Sequence, residues 1–155
     1  MPPVRVLFVC LGNICRSPVA EAMFRARAAE ADLDVHVESA GTQDYHVGEE
    51  PQPGSQKVAT AAGLDMARKR ARQIETEDFR RFTHIIALDE DNMDVLRQRA
   101  PEDSTATVQR LMFYSDRSEE HVLDPYGLDD DAFQTMFEQL ESGITGLVAD
   151  LKQAH

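Results

Sequence analysis

The run Cys10-Leu11-Gly12-Asn13-Ile14-Cys15-Arg16-Ser17-Pro18 sets a thiol and a guanidinium close together in a segment built to turn. An apolar stretch, Val4 and Val6 to Val9, leads into it, and a helical pattern with Ala20, Met23 and Phe24 on one face follows. A strand that stops at a cysteine, turns through Gly12 and Asn13, and enters a helix at Ser17-Pro18 gathers backbone N–H groups around one point. Here Ser17 is the expected N-cap and Pro18 the first helical residue. The N–H groups and the positive helix end favour a phosphate-like dianion. The same field favours thiolate over thiol, and the thiolate is the nucleophilic form. A nearby arginine, Arg16, adds positive charge to that field.

The bare Cys-to-Arg spacing is weak on its own. A plainer reading makes Cys10 a buried strand-end cysteine, Arg16 a solvated side chain and Gly12-Asn13 an ordinary turn. The strand before and the helix after favour the chemical reading.

Further motifs follow in order: Ser39-Ala40-Gly41-Thr42, Tyr45-His46-Val47-Gly48, Ala71-Arg72-Gln73, Asp89-Glu90-Asp91-Asn92 and Asp124-Pro125-Tyr126-Gly127. Together they resemble the low-molecular-weight protein tyrosine phosphatases over about Val4 to Lys152. The resemblance implies that Cys10 takes the phosphoryl group as a cysteinyl-phosphate. Leu11, Gly12, Asn13, Ile14, Cys15, Arg16 and Ser17 would form the phosphate-binding loop, with Arg16 clamping the phosphate. Ser17 Oγ would donate to the thiolate, and Asn13 would hold the loop at a positive φ. Asp124 would protonate the leaving phenolate and then act as base for water. Ile14, Tyr45 and Tyr126 would form the slot for a flat aryl group, and Asp89 would position the arginine or the loop. Cys15 either traps oxidised Cys10 as a reversible disulfide, the redox role that the resemblance favours, or only packs.

The acid role has independent support. A phenolate leaves with pKa ~10, so a placed proton donor is worth ~10²–10⁴-fold. Asp-Pro-Tyr-Gly is also a turn sequence, and turns on rigid scaffolds are where such groups sit. Two departures stand out. Gly127 replaces an aromatic found in many members, which lowers one wall of the slot. Lys69 falls where many members have a histidine, so support of the loop must be made differently or be weaker.

Three other activities remain to be weighed. A protein arginine phosphatase would use the same fold, but relatives with that preference carry Thr where Ile14 stands. Arsenate reduction needs cysteines outside the loop, and the chain has only Cys10 and Cys15. A phosphopeptide-binding module would need neither the thiol nor Asp124.

At 155 residues with 42% hydrophobic content, the sequence reads as a single domain, 1–155. A net charge of −12 argues against nucleic acid and anionic membranes as partners. It also opposes an anionic substrate globally, so added salt should quicken association. No stretch has the length of a membrane span or the h-region of a signal peptide. Two cysteines in one loop suit a reducing compartment. The expectation is a cytoplasmic monomer with no cofactor and no metal, acting on a phosphotyrosine-containing protein. Asp129-Asp130-Asp131 reads as an acidic helix start, Asp89–Asn92 as a helix cap, and the five scattered histidines, among them His46, as surface or core.

Strand patterns at Val4–Val9, Asp34–Ser39, His84–Leu88 and Thr107–Met112 alternate with helical ones. The helical patterns cover Pro18–Ala31, Ser55–Ala62, Glu75–Arg81, Glu90–Arg99 and Asp130–Gln153. Such alternation predicts an α/β three-layer αβα sandwich, with a four-stranded parallel sheet, helices on both faces and ligand at the carboxyl ends of the strands.

Overall fold

A computed structural model describes residues 2–155. Its centre is β1 (Val4–Cys10), which pairs in parallel with β2 (Val35–Gly41) on one side and β3 (His84–Ala87) on the other. A fourth strand, β4 (Thr107–Arg110), extends the sheet beyond β3, giving the order β2-β1-β3-β4 with every pair parallel. Period-two alternation in β1 sends Val4, Val6, Phe8 and Cys10 to one face and Leu7 and Val9 to the other. Both faces are buried, as a parallel sheet requires.

The first face is covered by α1 (Arg16–Glu30), α2 (Pro53–Ala61) and α5 (Asp130–Ala154). The second is covered by the short α3 (Asp78–Arg81) and by α4 (Glu90–Arg99). The expected three layers and four-stranded parallel sheet are therefore present. Helix α5 begins at the acidic run: Asp129 caps it by accepting from Ala132 N–H at 3.1 Å, and Asp130 and Asp131 occupy its first turn.

Four boundaries differ from the sequence reading, each for a tertiary reason. The strand expected over Thr107–Met112 ends at Arg110, and Leu111–Tyr114 forms a 3₁₀ turn that buries Leu111 and Met112 under α5. The helix expected over Glu75–Arg81 is confined to Asp78–Arg81, because Asp78 Oδ2 accepts from Glu75 N–H at 2.7 Å and holds the preceding residues in a turn. Strand β2 runs on through Ala40 and Gly41, since both pair with β1 and Gly41 also bridges to Gln73. Ser39-Ala40-Gly41 is strand rather than turn. Helix α1 starts at Arg16, with Cys15 at the N-cap position and no side-chain cap. Ser17 does not cap it, because its hydroxyl is used inside the loop.

Close packing of α5 on the 3₁₀ turn depends on two glycines. A Cβ on Gly143 would lie 2.5 Å from Leu111 Cγ, and one on Gly146 would lie 1.8 Å from the carbonyl oxygen of Tyr114. The second contact is with backbone and cannot be relieved by a rotamer change. Gly146→Ala should therefore lower unfolding stability by at least about 1–3 kcal/mol in a urea titration. An unchanged midpoint would show that α5 does not press on Tyr114.

Candidate active site

Residues Leu11 to Cys15 connect the carboxyl end of β1 to α1, and their carbonyls are tied from outside. Thr42 N–H donates to Cys10 O at 2.9 Å, Gln43 N–H to Leu11 O at 3.0 Å, and Gln52 N–H to Ile14 O at 2.8 Å. Ser55 Oγ–H donates to Cys15 O at 2.9 Å. With the carbonyls held outward, the peptide planes turn N–H groups inward around the Cys10 sulfur. Asn13 N–H lies 3.3 Å from Sγ. Asn13 itself has φ 60°, the left-handed conformation that its side chain stabilises by local bonding. Gly41 is needed for a separate reason: a Cβ there would sit 2.8 Å from Leu11 O and 3.2 Å from Asn13 N, inside the loop's own backbone.

The Asn13 side chain has one possible orientation. Arg72 N–H can only donate, and it does so to Asn13 Oδ1 at 3.0 Å. Asn13 Nδ2 must then face and donate to Ser17 Oγ at 2.7 Å and Ser39 Oγ at 3.0 Å. Ser17 Oγ lies 2.9 Å from Cys10 Sγ, and toward a thiolate its hydroxyl is the donor. A thiolate at this point is held by a hydroxyl, a backbone N–H and the start of α1.

Arg16 is buried with one nitrogen committed to the protein. Its Nη1 donates to Asp89 Oδ2 at 2.7 Å and to Val122 O at 3.0 Å. Asp89 is fixed in turn as the N-cap of α4, its Oδ1 accepting from Asn92 N–H at 2.7 Å. Burial opposes the charge on Arg16, but the Cys10 thiolate, Asp89 and Asp124 outweigh it, and the guanidinium is held above its ordinary value. Nε is buried without a protein partner, and Nη2 lies 3.7 Å from Asp124 Oδ2. The Nε–Nη2 edge is the one a phosphate would use.

Asp124 reaches the same cavity from the loop before α5. Its Oδ1 accepts from Tyr126 N–H at 3.2 Å, which makes the turn that the Asp-Pro-Tyr-Gly sequence suggests. Gly127 has φ 77°, so this position is set by backbone shape as well as by the slot wall. The loop is held from behind by Gln139 of α5, whose Oε1 accepts from Leu123 N–H at 2.7 Å.

A cavity of about 180 Å³ is lined by Cys10, Leu11, Gly12, Ile14, Cys15, Arg16, Asp124, Tyr45, Tyr126 and His46. Every residue assigned to the slot from sequence therefore opens on the same space as the thiol. Tyr45 and Tyr126 are 65% and 54% exposed, so they stand as walls at the mouth. Ile14 is nearly buried and reaches the cavity from below. His46, set aside in the sequence reading, is a wall residue, with its ring 5.8 Å from that of Tyr126 and Nδ1 bonded to Glu49 at 2.9 Å. Its place beside Tyr45 in the sequence was the available signal. Gln139 gave none, since it acts through a contact far along the chain.

Cys15 is buried beside Cys10. Burial, with the charges of Asp124 and Cys10 adding, pushes its thiol up to about 12. The loop therefore contains two sulfurs of opposite character, a hydrogen-bonded Cys10 and a protonated Cys15.

This is an α/β protein in which Cys10, Arg16 and Asp124 open on one cavity at the carboxyl end of β1. The family model described as "Low molecular weight phosphotyrosine protein phosphatase" matches residues 5–155, and the chain belongs to that family. It is 37% identical over 153 residues to the low molecular weight protein-tyrosine-phosphatase YfkJ of Bacillus subtilis, covering 97% of each chain. The crystal structure of YfkJ superposes with a TM-score of 0.90, over 97% of this chain and 96% of that one. The human low molecular weight phosphotyrosine protein phosphatase is 38% identical over 138 residues, 86% of this chain and 87% of its own. A drosophila arginine phosphatase structure also superposes at TM-score 0.90, with 33% identity and coverage of 97% and 98%.

The state of Cys15 is directly measurable. In a Cys10→Ser variant, burial and the Asp124 charge should leave Cys15 unmodified by iodoacetamide near about pH 8, with labelling rising only well above the ordinary thiol range. Ready labelling at about pH 8 would place Cys15 in a far more polar setting than this one.

Proposed function

We propose that the chain is a cytoplasmic protein tyrosine phosphatase that hydrolyses phosphotyrosine through a cysteinyl-phosphate on Cys10. The observation that carries this reading is the convergence on one cavity of a hydrogen-bonded Cys10 sulfur, the partnerless Nε of Arg16 and the Asp124 carboxyl. The phosphate dianion would lie against the inward N–H groups, with two oxygens on the Arg16 edge. Cys10 Sγ attacks phosphorus as the bond to the phenolic oxygen breaks, and Asp124 gives its proton to that oxygen. In the second step Asp124 takes a proton from water, water attacks phosphorus, and the S–P bond breaks. The Ser17 hydroxyl stabilises the thiolate that leaves. The pocket walls support the choice of substrate: two tyrosines and Ile14 offer flat and apolar surface to a phenyl ring, and no hydroxyl at position 14 to a guanidinium.

Cys15 has a place in this scheme. A peroxide that oxidises the Cys10 thiolate gives a sulfenic acid and releases the reduced oxygen as water or an alcohol. The Cys15 thiol can then condense with the sulfenic acid, losing water, to give a disulfide that two external thiols reduce. Loop closure between two neighbouring buried sulfurs supports that protective role.

The test is a side-by-side kcat/KM for a phosphotyrosine peptide and a phosphoarginine peptide, with Cys10→Ser as the blank. A preference for phosphotyrosine of at least about 10²-fold is expected. Preference for phosphoarginine would show that the slot reads a guanidinium, and turnover by Cys10→Ser would remove Cys10 from the chemistry.

A further inference from the structure

The hydrogen-bonded chain that ends on Cys10 does not stop at Ser39. Since Ser39 Oγ accepts from Asn13 Nδ2, its one proton must go elsewhere, and it goes to Glu21 Oε1 at 2.6 Å. Two cations face the Glu21 carboxyl group: Lys69 Nζ lies 3.4 Å from Oε1, and Arg25 Nη2 lies 2.9 Å from Oε2. Lys69 also donates to the Ser39 carbonyl at 2.9 Å, fixing the backbone of the residue whose hydroxyl it helps to orient. Both Lys69 and Glu21 are only 13% exposed at the side chain. Burial lowers the Lys69 ammonium from its ordinary value, and Glu21 works against that loss. Glu21 sits four residues after Ser17, on the same face of α1, so one helix carries both the outer end of the chain and the hydroxyl that meets the sulfur.

We propose that Lys69 and Glu21 are positioning residues for the thiolate, anchoring the outer end of the chain Glu21–Ser39–Asn13–Ser17–Cys10, whose direction the Arg72 N–H sets. This rests on the reading of Cys10 as nucleophile. With Glu21 in place, Ser39 spends its proton outward and holds its oxygen toward Asn13. Asn13 is then kept against both hydroxyls, and Ser17 against the sulfur. Without the lysine, Glu21 loses the cation nearest Oε1, and Ser39 loses the bond that holds its carbonyl. The Ser39 hydroxyl then shifts, the Asn13 amide loses one of its two acceptors, and Ser17 is held less closely against Cys10. The phosphate contacts of Arg16 and of the loop N–H groups lie outside this chain. Loss of Lys69 should therefore act on the sulfur and leave substrate binding nearly intact.

The experiment follows Cys10 without substrate. In Lys69→Met, the pH midpoint for iodoacetamide alkylation of Cys10 should rise by about half a unit to one unit. The kcat for an aryl phosphate should fall by about tenfold while KM stays within about twofold. Lys69→Arg, which keeps the charge, should recover most of both losses. Ser39→Ala cuts the chain, so adding Lys69→Met to it should shift the midpoint no further. The proposal is overturned if Lys69→Met leaves the alkylation midpoint in place, or if it shifts it equally with and without Ser39. Urea midpoints separate these effects from a general loss of folding. Should Lys69→Met fail to fold, Ser39→Ala alone must still raise the midpoint. An inactive wild-type protein would sink the phosphatase reading but not this one, because alkylation needs no turnover.

Discussion

A single donor decides the state of the whole loop. The Arg72 N–H can only give a proton, so the Asn13 amide has one orientation, and both serine hydroxyls take their directions from it. The positive φ of Asn13 would cost about 1–2 kcal/mol in isolation, and it persists because the surrounding structure over-determines it. Four carbonyls of the loop are pinned from α2 and from the segment between β2 and α2. Gly41 leaves room for that fit, with the loop's backbone resting where any side chain would be. Asp78 in turn pins Arg72, accepting from Nη1 at 3.0 Å and from Nη2 at 3.1 Å. The cradle is thus rigid before any ligand arrives, which is what electrostatic stabilisation of a dianion requires.

The electrostatics are local and run against the rest of the molecule. A chain of net charge −12 concentrates its favourable field at the carboxyl end of β1, where backbone dipoles, the start of α1 and the buried Arg16 converge. Arg16 is oriented by Asp89 and the Val122 carbonyl, so it does not have to be ordered by the substrate. Asp124 stands on a different element, held by Gln139 of α5. The proposed nucleophile and the proposed acid therefore lie far apart in the sequence, and the packing of α1 and α5 on one sheet face brings them together.

Much of this could be read from residue order. The strand, Gly12-Asn13 turn and helix were legible because each depends on neighbours in sequence, and the alternation of elements implied the sheet. What was hidden depends on distant contacts. Ser17 has the chemistry of an N-cap, but Asn13 and Cys10 claim its hydroxyl. Leu111 and Met112 have strand-like character, yet burial under α5 turns them into a 3₁₀ segment. Lys69 implied a support for the loop that was either made differently or weaker. Its partner Glu21 lies far from it in sequence and close in space, and the pair forms a different support. His46 became visible only when the turn after Tyr45 folded over the cavity.

The most direct test of the central claim is to trap the phosphoryl group on sulfur. Asp124→Asn removes the base of the second step, while a nitrophenyl phosphate needs little help from an acid in the first. Mixing the two rapidly should release a burst of about one nitrophenolate per Cys10, with phosphate on the Cys10 peptide by mass spectrometry. A burst with the label elsewhere, or slow release with no covalent adduct, would contradict an account in which the loop exists to hold a nucleophilic Cys10.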